Sequence, residues 1–292
     1  MKRFQESNIE PCLFIHHDII CVVYIDDCLF FAHDDSTIEL MITDLKKDFA
    51  LLPGDSVPAF LGIQIKTLLS GKLELLQPHL TKQCLKAMHM DDCNNIKSPA
   101  TVNALGTDVN GLEHIETWQY ASVIGMLMYL TSNTPLDIAF TVHQCAQFTH
   151  CAKKSHEDAV KHICHYLHGT KDQGIIFKST GNLTVECYVD ADFASPWTFE
   201  VDQDPVCVKS CTRYVLTFGG CPLLWTSKLL TEIALSTMEA EYIDLSQSMR
   251  DVIPMKTLVE EALLNLLLIL MMSAPILWCL KITMGLLLLP LH

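Results

Sequence analysis

Two adjacent carboxylates, Asp26 and Asp27, stand between two short apolar runs, Leu13 to Val23 on one side and Cys28 to Ala32 on the other. No feature of the chain restricts its folding more. Apolar, largely β-branched runs of that length form strands bounded by turns, so Tyr24-Ile25-Asp26-Asp27 is predicted to form the tip of a tight hairpin. Both acids should then meet solvent, because like charges held close together repel unless a cation neutralises them. Two readings follow. Such a pair in a turn can be no more than a solvated loop, or it can be the way a phosphoryl-transfer enzyme holds a divalent ion.

Beyond the hairpin, apolar residues recur at helical spacing from Asp35 to Leu51 (Ile38, Leu40, Met41, Leu45, Phe49), with Ser36 as the predicted N-cap. FLGIQIK and KLELLQ read as two strands separated by Ser70-Gly71, and residues 79–90 as a helix. Residues 91–117 are polar and irregular, as in a linker. Three helices with apolar stripes are predicted over 118–132, 136–148 and 155–168. After Gly181 the stretches NLTVECYVDADFA and RYVLTFGGCPLLWTSK alternate in the manner of strands, and a helix follows from about Thr237 to Leu258. Strands followed by a helix predict a separate α/β sheet domain starting near residue 181. A chain of 292 residues is long enough for two domains of ordinary size.

The formal net charge of -14 argues against a free-standing nucleic-acid binder, which normally offers a basic face to phosphates. The opening MKRFQESNIEP has a basic pair with no apolar run behind it, so it does not read as a secretory signal, and an intracellular, reducing location is expected. Thirteen cysteines without a single Cys-x-x-Cys pair fit free thiols, mostly buried as small apolar side chains, better than a disulfide framework. Cys and His crowd between His143 and His168, with His162, His165 and His168 three apart on a predicted helix. Lacking paired Cys spacing, they read as packed or solvated histidines rather than as a zinc site.

The surroundings of the acid pair resemble the palm of copia-type reverse transcriptases. Pro11-Cys12-Leu13-Phe14, Val22-Val23-Tyr24-Ile25-Asp26-Asp27 and Phe60-Leu61-Gly62-Ile63-Gln64-Ile65 come in the family's order and at about its spacing. The resemblance implies that Asp26 and Asp27 bind a catalytic Mg²⁺, that Tyr24 lies near the incoming nucleotide, and that Phe60 to Ile65 forms a strand supporting the primer end. It also implies a further metal-binding aspartate and nucleotide-binding fingers upstream of Met1. Two-metal chemistry holds its ions about 3.5–4 Å apart. Half of the ligand set cannot fix that geometry, so polymerase activity is not expected of this chain alone.

Trp118 to Phe177 resembles the segment joining polymerase to RNase H in the same family, through Gln119-Tyr120, Ile124 to Leu130, Asp137-Ile138-Ala139-Phe140, His156 and Tyr166 to Thr170. Here the chain departs from the family. Leu136 stands where an arginine is usual, Cys151 where a proline is usual and His165 where an arginine is usual. The segment reads as a helical spacer.

Tyr188-Val189-Asp190-Ala191-Asp192-Phe193-Ala194 sets an acid in the middle of a predicted strand, where a carboxylate needs a cation or donors. Leu235 to Tyr242 sets Glu239 and Glu241 at the start of a helix, pointing in different directions, so that only one can face the sheet. With Lys209-Ser210, Tyr214, Gly219-Gly220, Trp225 and Ser227-Lys228, these residues resemble the RNase H domain of copia-type elements. The resemblance implies Asp190 and Glu241 as the strand and helix carboxylates of a two-metal site that cuts the RNA of an RNA/DNA hybrid, with Asp192 and Glu239 as exposed neighbours. Arg213 stands where a glycine is typical, with an expected backbone cost, and Asp244 where a small apolar residue is usual.

From Ala262 to Leu280 no residue is charged, which is long enough for a membrane span over about 263–280. Asn265 and Pro275 interrupt the run, and nothing else in the chain is membrane-like. A frameshift accounts for it better. Cys279 to Leu289 can be encoded by codons that, in another frame, give Phe-Glu-Asp-Asn-Asn-Gly-Ala-Leu-Thr-Leu, the strand with Asp-Asn that the family leads one to expect there.

The expected organisation is therefore a partial reverse transcriptase palm over 1–95, a linker and helical connection over 96–180, a partial RNase H-like domain over 181–261, and an out-of-frame apolar tail over 262–292. The fold class is α+β and α/β: a palm remnant, a helical connection and a truncated RNase H-like mixed sheet. The expected function is that of a retrotransposon polyprotein fragment, related to enzymes of RNA-directed DNA synthesis and hybrid cleavage but catalytically inactive. Its implied partners are a primer-template and an RNA/DNA hybrid. The alternatives are a non-catalytic binding protein and a membrane-tethered protein anchored by the tail.

Overall fold

The computed structural model describes residues 4–16, 19–25, 27–32, 34–47, 59–68, 72–100, 105–134, 136–178, 184–194 and 208–272. Six helices and three antiparallel sheets make up these residues. The first sheet is an antiparallel meander of β1 (Gln5–Glu6), β2 (Leu13–His16), β3 (Ile19–Tyr24) and β4 (Asp27–Ala32). The apolar run before the acid pair thus folds as two strands rather than one. Helix α1 (Asp35–Leu45) follows. Its N-cap is Asp34 and not Ser36: the Asp34 carboxylate accepts the Thr37 backbone N–H at 2.8 Å, occupying one of the free donors of the first turn. Phe49 lies outside the described residues.

The second sheet joins distant parts of the chain. Strands β5 (Ala59–Phe60), β6 (Ile63–Thr67) and β7 (Leu73–Leu76) run antiparallel, and β8 (Ile175–Phe177) adds beside β7 after about a hundred intervening residues. Leu61 and Gly62 have φ of 52° and 76°. Two consecutive left-handed residues make the mirror-image turn that matches strand twist, so Phe60 to Ile65 is a tight hairpin and not the single strand expected. Beside β8, a Cβ on Gly174 would come within 2.3 Å of the Leu75 carbonyl oxygen, so the close approach of the two chains there requires glycine.

The helical middle consists of α2 (Pro78–Ala87), α3 (Tyr120–Asn133), a 3₁₀ turn (Leu136–Ile138), α4 (Ala139–Ala146) and α5 (Lys154–Thr170). Val123, Leu127 and Leu130 of α3 recur at helical spacing. They pack with Cys84 and Leu85 of α2, Val142 and Cys145 of α4, and Val160, Ile163, Cys164 and Leu167 of α5. This is the main core. Six of the eleven cysteines described as free are buried (Cys21, Cys84, Cys145, Cys164, Cys211 and Cys221), which is the role of small apolar side chains predicted for most of them. Of the histidines on α5, His165 meets the Asn94 carbonyl through Nδ1 at 2.7 Å and His168 meets the Asn95 side-chain oxygen.

The third sheet has the order β11-β10-β9, built from β9 (Val185–Asp192), β10 (Cys211–Phe218) and β11 (Cys221–Leu229). Gly219 and Gly220, with φ of 59° and 77°, turn β10 into β11. Both pairings are antiparallel. The mixed sheet expected from the resemblance is thus antiparallel throughout its described strands. Helix α6 (Thr237–Met272) packs on β9 and β10 and runs past the predicted end at Leu258, with Pro254 inside it. Among the described residues no helix is long and apolar enough to cross a membrane; residues 273–292, with most of the proposed out-of-frame tail, lie outside them.

Helix α3 ties the two later sheets together. The Tyr129 hydroxyl donates to the Leu61 carbonyl at 2.7 Å, and the Trp225 indole N–H donates to the Thr131 carbonyl. The two sheets therefore share the helical core as their support.

Candidate functional site

The two acid-bearing segments singled out by sequence lie on separate sheets. In the first, Tyr24 and Asp27 are register partners at the end of the β3–β4 ladder. Both are exposed, Tyr24 to 48%. Ile25 is 82% exposed and has φ of 51°, a region that a β-branched residue avoids. An apolar, β-branched side chain held out in solvent in a left-handed conformation is local strain of a kind that accompanies functional turns. Asp26 lies outside the described residues.

In the second segment, alternation along the strands decides what each side chain meets. Thr212 and Tyr214 of β10 point towards α6, where the Thr212 hydroxyl donates to the Asp244 carboxylate and the Tyr214 hydroxyl donates to Asp251. Arg213, between them, turns to the other face, and its guanidinium carbon lies 4.7 Å from the centre of the Phe140 ring of α4. Asp190 is the register partner of Arg213, so it shares that face and not the one covered by α6. Asp192 is no exposed neighbour. It is partly buried, and the Arg213 guanidinium donates to it at 2.6 Å. Asp137, Phe140, Tyr188, Asp190, Arg213 and Trp225 are among the residues lining a pocket of about 290 Å³ between the sheet and α4.

On α6, Glu239 and Glu241 are both exposed. Glu239 is a capping residue: its backbone N–H bonds the Ser236 hydroxyl at 3.1 Å, and its carboxylate accepts the Leu235 N–H at 2.7 Å. The Ser236-x-x-Glu239 spacing could have revealed that role in the sequence. Two other acids of α6 reach the sheet, Asp251 through the Tyr214 hydroxyl and Asp244, which is wholly buried. Besides the Thr212 hydroxyl it accepts the Arg213 backbone N–H at 3.1 Å. Burial pushes the Asp244 carboxyl up to about 6, and the negative charges of Glu241 and Asp190 add to the rise against the opposing Arg213. Ala240, Asp244 and Ser248, four residues apart and all fully buried, form the stripe that α6 lays on the sheet. In the sequence Asp244 stands out only as an acid where a small apolar residue is usual; the signal for its role is a small and polar stripe at helical spacing.

The expected backbone cost at Arg213 is not found. The residue sits within a regular strand, and its φ is not among the positive ones, so the position requires no glycine. Nor do the residues on this face fit a Mg²⁺ site. A permanent cation already engages Asp192 and faces Asp190, and among the described residues no group of three or more His, Cys, Asp or Glu side chains could hold a metal ion.

Comparison with known proteins defines the class. The chain is 31% identical over 267 residues, covering 89% of its own length and 19% of that polyprotein, to the "Retrovirus-related Pol polyprotein from transposon TNT 1-94" of Nicotiana tabacum. It is 29% identical over 224 residues, 77% of its length and 15% of the relative, to the Pol polyprotein from transposon RE1 of Arabidopsis thaliana. An uncharacterized mitochondrial protein of Arabidopsis thaliana is 28% identical over 222 residues, 76% of this chain and 88% of that protein. Over most of its length the chain is thus homologous to retrovirus-related Pol polyproteins of copia-type retrotransposons. It spans less than a fifth of the length of the Pol polyproteins it matches. No family model and no solved structure matches it.

Proposed function

We propose that the chain corresponds to the rear of a reverse transcriptase palm followed by the front of an RNase H-like domain, and that it catalyses neither DNA synthesis nor hybrid cleavage as it stands. The observation that carries this reading is the hairpin bearing Tyr24 and Asp27 at its closed end, in a chain whose relatives are Pol polyproteins. The antiparallel strands β9 to β11 followed by α6, with Asp190 on a strand and Glu241 on the helix, support the RNase H-like part. On this reading residues 1–95 derive from the palm, 96–180 from the connection, 181–261 from the nuclease domain, and 262–292 from a shifted frame.

Asp26 and Asp27 are the residues that would hold Mg²⁺ in a complete palm, with Tyr24 beside the nucleotide, and the ion would supply charge stabilisation for phosphoryl transfer. A primer-template and an RNA/DNA hybrid are the partners of that ancestry. The test is cleavage of an RNA/DNA hybrid in Mg²⁺ by the full chain, with Asp190→Asn as the control. No cleavage above background is expected. Robust cleavage abolished by Asp190→Asn would overturn the inactive reading.

A further inference from the structure

The strand face that carries Asp190 already holds a cation of its own. Arg213 is the register partner of Asp190, bonds Asp192 at 2.6 Å, and lies against the Phe140 ring. Partners directly opposite in an antiparallel pair have their Cβ atoms about 4.5–5.5 Å apart. The guanidinium is held from two sides, by the Asp192 carboxylate and by the aromatic face, and the backbone N–H of the same residue is fixed by buried Asp244. Its Nε is buried and bonds no protein atom, so the head group is fixed by packing and ion pairing and not by a full set of donated bonds. A guanidinium does not lose its proton at any ordinary pH, so this positive charge is permanent.

We propose that Arg213 is a tethered counter-cation for the Asp190 and Asp192 carboxylates, and that it keeps divalent metal ions off this face. The proposal rests on reading Asp190 as descended from a metal ligand. The physical reason is competition for one field. A divalent ion at exposed Asp190 would have to sit beside a fixed positive charge, and the neighbouring Asp192 carboxylate already has a partner. Arg213 and Asp244 also belong together. Both depart from the family's usual residues, and they meet through the Arg213 N–H, so the same pair secures the strand to α6 on one face and screens the acids on the other.

Mn²⁺ binding to the full chain, followed by electron paramagnetic resonance of the free ion, tests this. Arg213→Gln removes the charge and keeps a long polar side chain; Arg213→Lys keeps the charge. Arg213→Gln is expected to bind Mn²⁺ at least tenfold more tightly than the unsubstituted chain, Arg213→Lys to stay within about twofold of it, and Asp190→Asn to cancel the gain. A gain of less than twofold in Arg213→Gln, an equal gain in Arg213→Lys, or a gain that survives Asp190→Asn overturns the proposal. A second measurement needs no substitution at Arg213: millimolar Mn²⁺ should leave the unfolding midpoint of the unsubstituted chain unchanged, and a rise that Asp190→Asn removes also overturns it. No gain in Arg213→Gln while the unsubstituted chain stays inert on hybrid sinks the Arg213 role alone. Hybrid cleavage by the unsubstituted chain sinks the inactive reading.

Discussion

Glu157 in the helical middle and Asp244 on α6 are both wholly buried carboxylates, yet they titrate in opposite directions. Burial by itself would raise Glu157, but Lys154 and Lys161 both donate to it and hold it at about 2. His114 approaches its other oxygen at 3.3 Å. Asp244 has a hydroxyl and one backbone N–H for partners, while the cation at Arg213 points to the opposite face of the sheet and engages Asp192. It is pushed up to about 6. The helical middle is thus a region in which a buried charge has been fully matched. The sheet region is one in which a buried acid sits near two more acids, and the available cation serves another pair.

The largest way to break that contrast is to remove both cations of Glu157. Lys154→Met with Lys161→Met leaves a buried charge without its counter-ions, and the expected loss in urea unfolding is about 3–5 kcal/mol. A loss below about 1 kcal/mol would mean that Glu157 is not held as described. Acid should act on the same contact. Because the folded carboxyl lies at about 2, below its ordinary 4.5, the contribution is present above 4.5 and drains away as the pH falls towards 2.

Leu127→Ala, at the centre of the helical core, should cost about 2–5 kcal/mol. Leu235→Ala, at an exposed position before α6, should stay within about 0.5 kcal/mol on the same measurement.

Asp244→Asn should move stability the other way. With the folded carboxyl raised from 3.8 to about 6, the protonated acid is the form the fold prefers, so its stability is fully present below 3.8 and is lost as the pH rises through about 6. The amide oxygen can still accept the Arg213 N–H, and the amide NH₂ can donate to the Thr212 hydroxyl, without a charge. The variant is therefore expected to gain about 1–3 kcal/mol at pH 7.5 and nothing at pH 4. A loss at pH 7.5 would show that the carboxylate stabilises the sheet region as Glu157 does the helices. A modest effect is expected at the start of α6: Ser236→Ala should cost about 0.5–2 kcal/mol through the lost cap. If thermal unfolding shows no change, the capping contact does not persist in solution.

Much of the secondary structure was legible because its signals are local. The three middle helices follow from apolar residues at helical spacing, such as Val123, Leu127 and Leu130, and the hairpin at Tyr24 to Asp27 from apolar runs that flank a charged turn. Local signals misled where two conformations suit the same residues. FLGIQIK reads as one strand until the left-handed Leu61 and Gly62 are seen, and Ser36 is a good capping residue that stands two positions after the better-placed Asp34. Asp244 was invisible as a site residue because its partners, Thr212 and the Arg213 N–H, are about thirty residues away on another element.

By itself the sequence determined the lineage and the residue types, since similarity and periodicity are carried by the order of side chains alone. Tertiary structure decided which acids are buried and which meet a cation on another strand. Lys154 and Lys161 stand three and four residues from Glu157 on α5, a pairing that helical spacing alone supplies. A charge also interacts across space, so only strand register could set Arg213 opposite Asp190, and only packing could bury Glu157 beside its lysines and Asp244 without one.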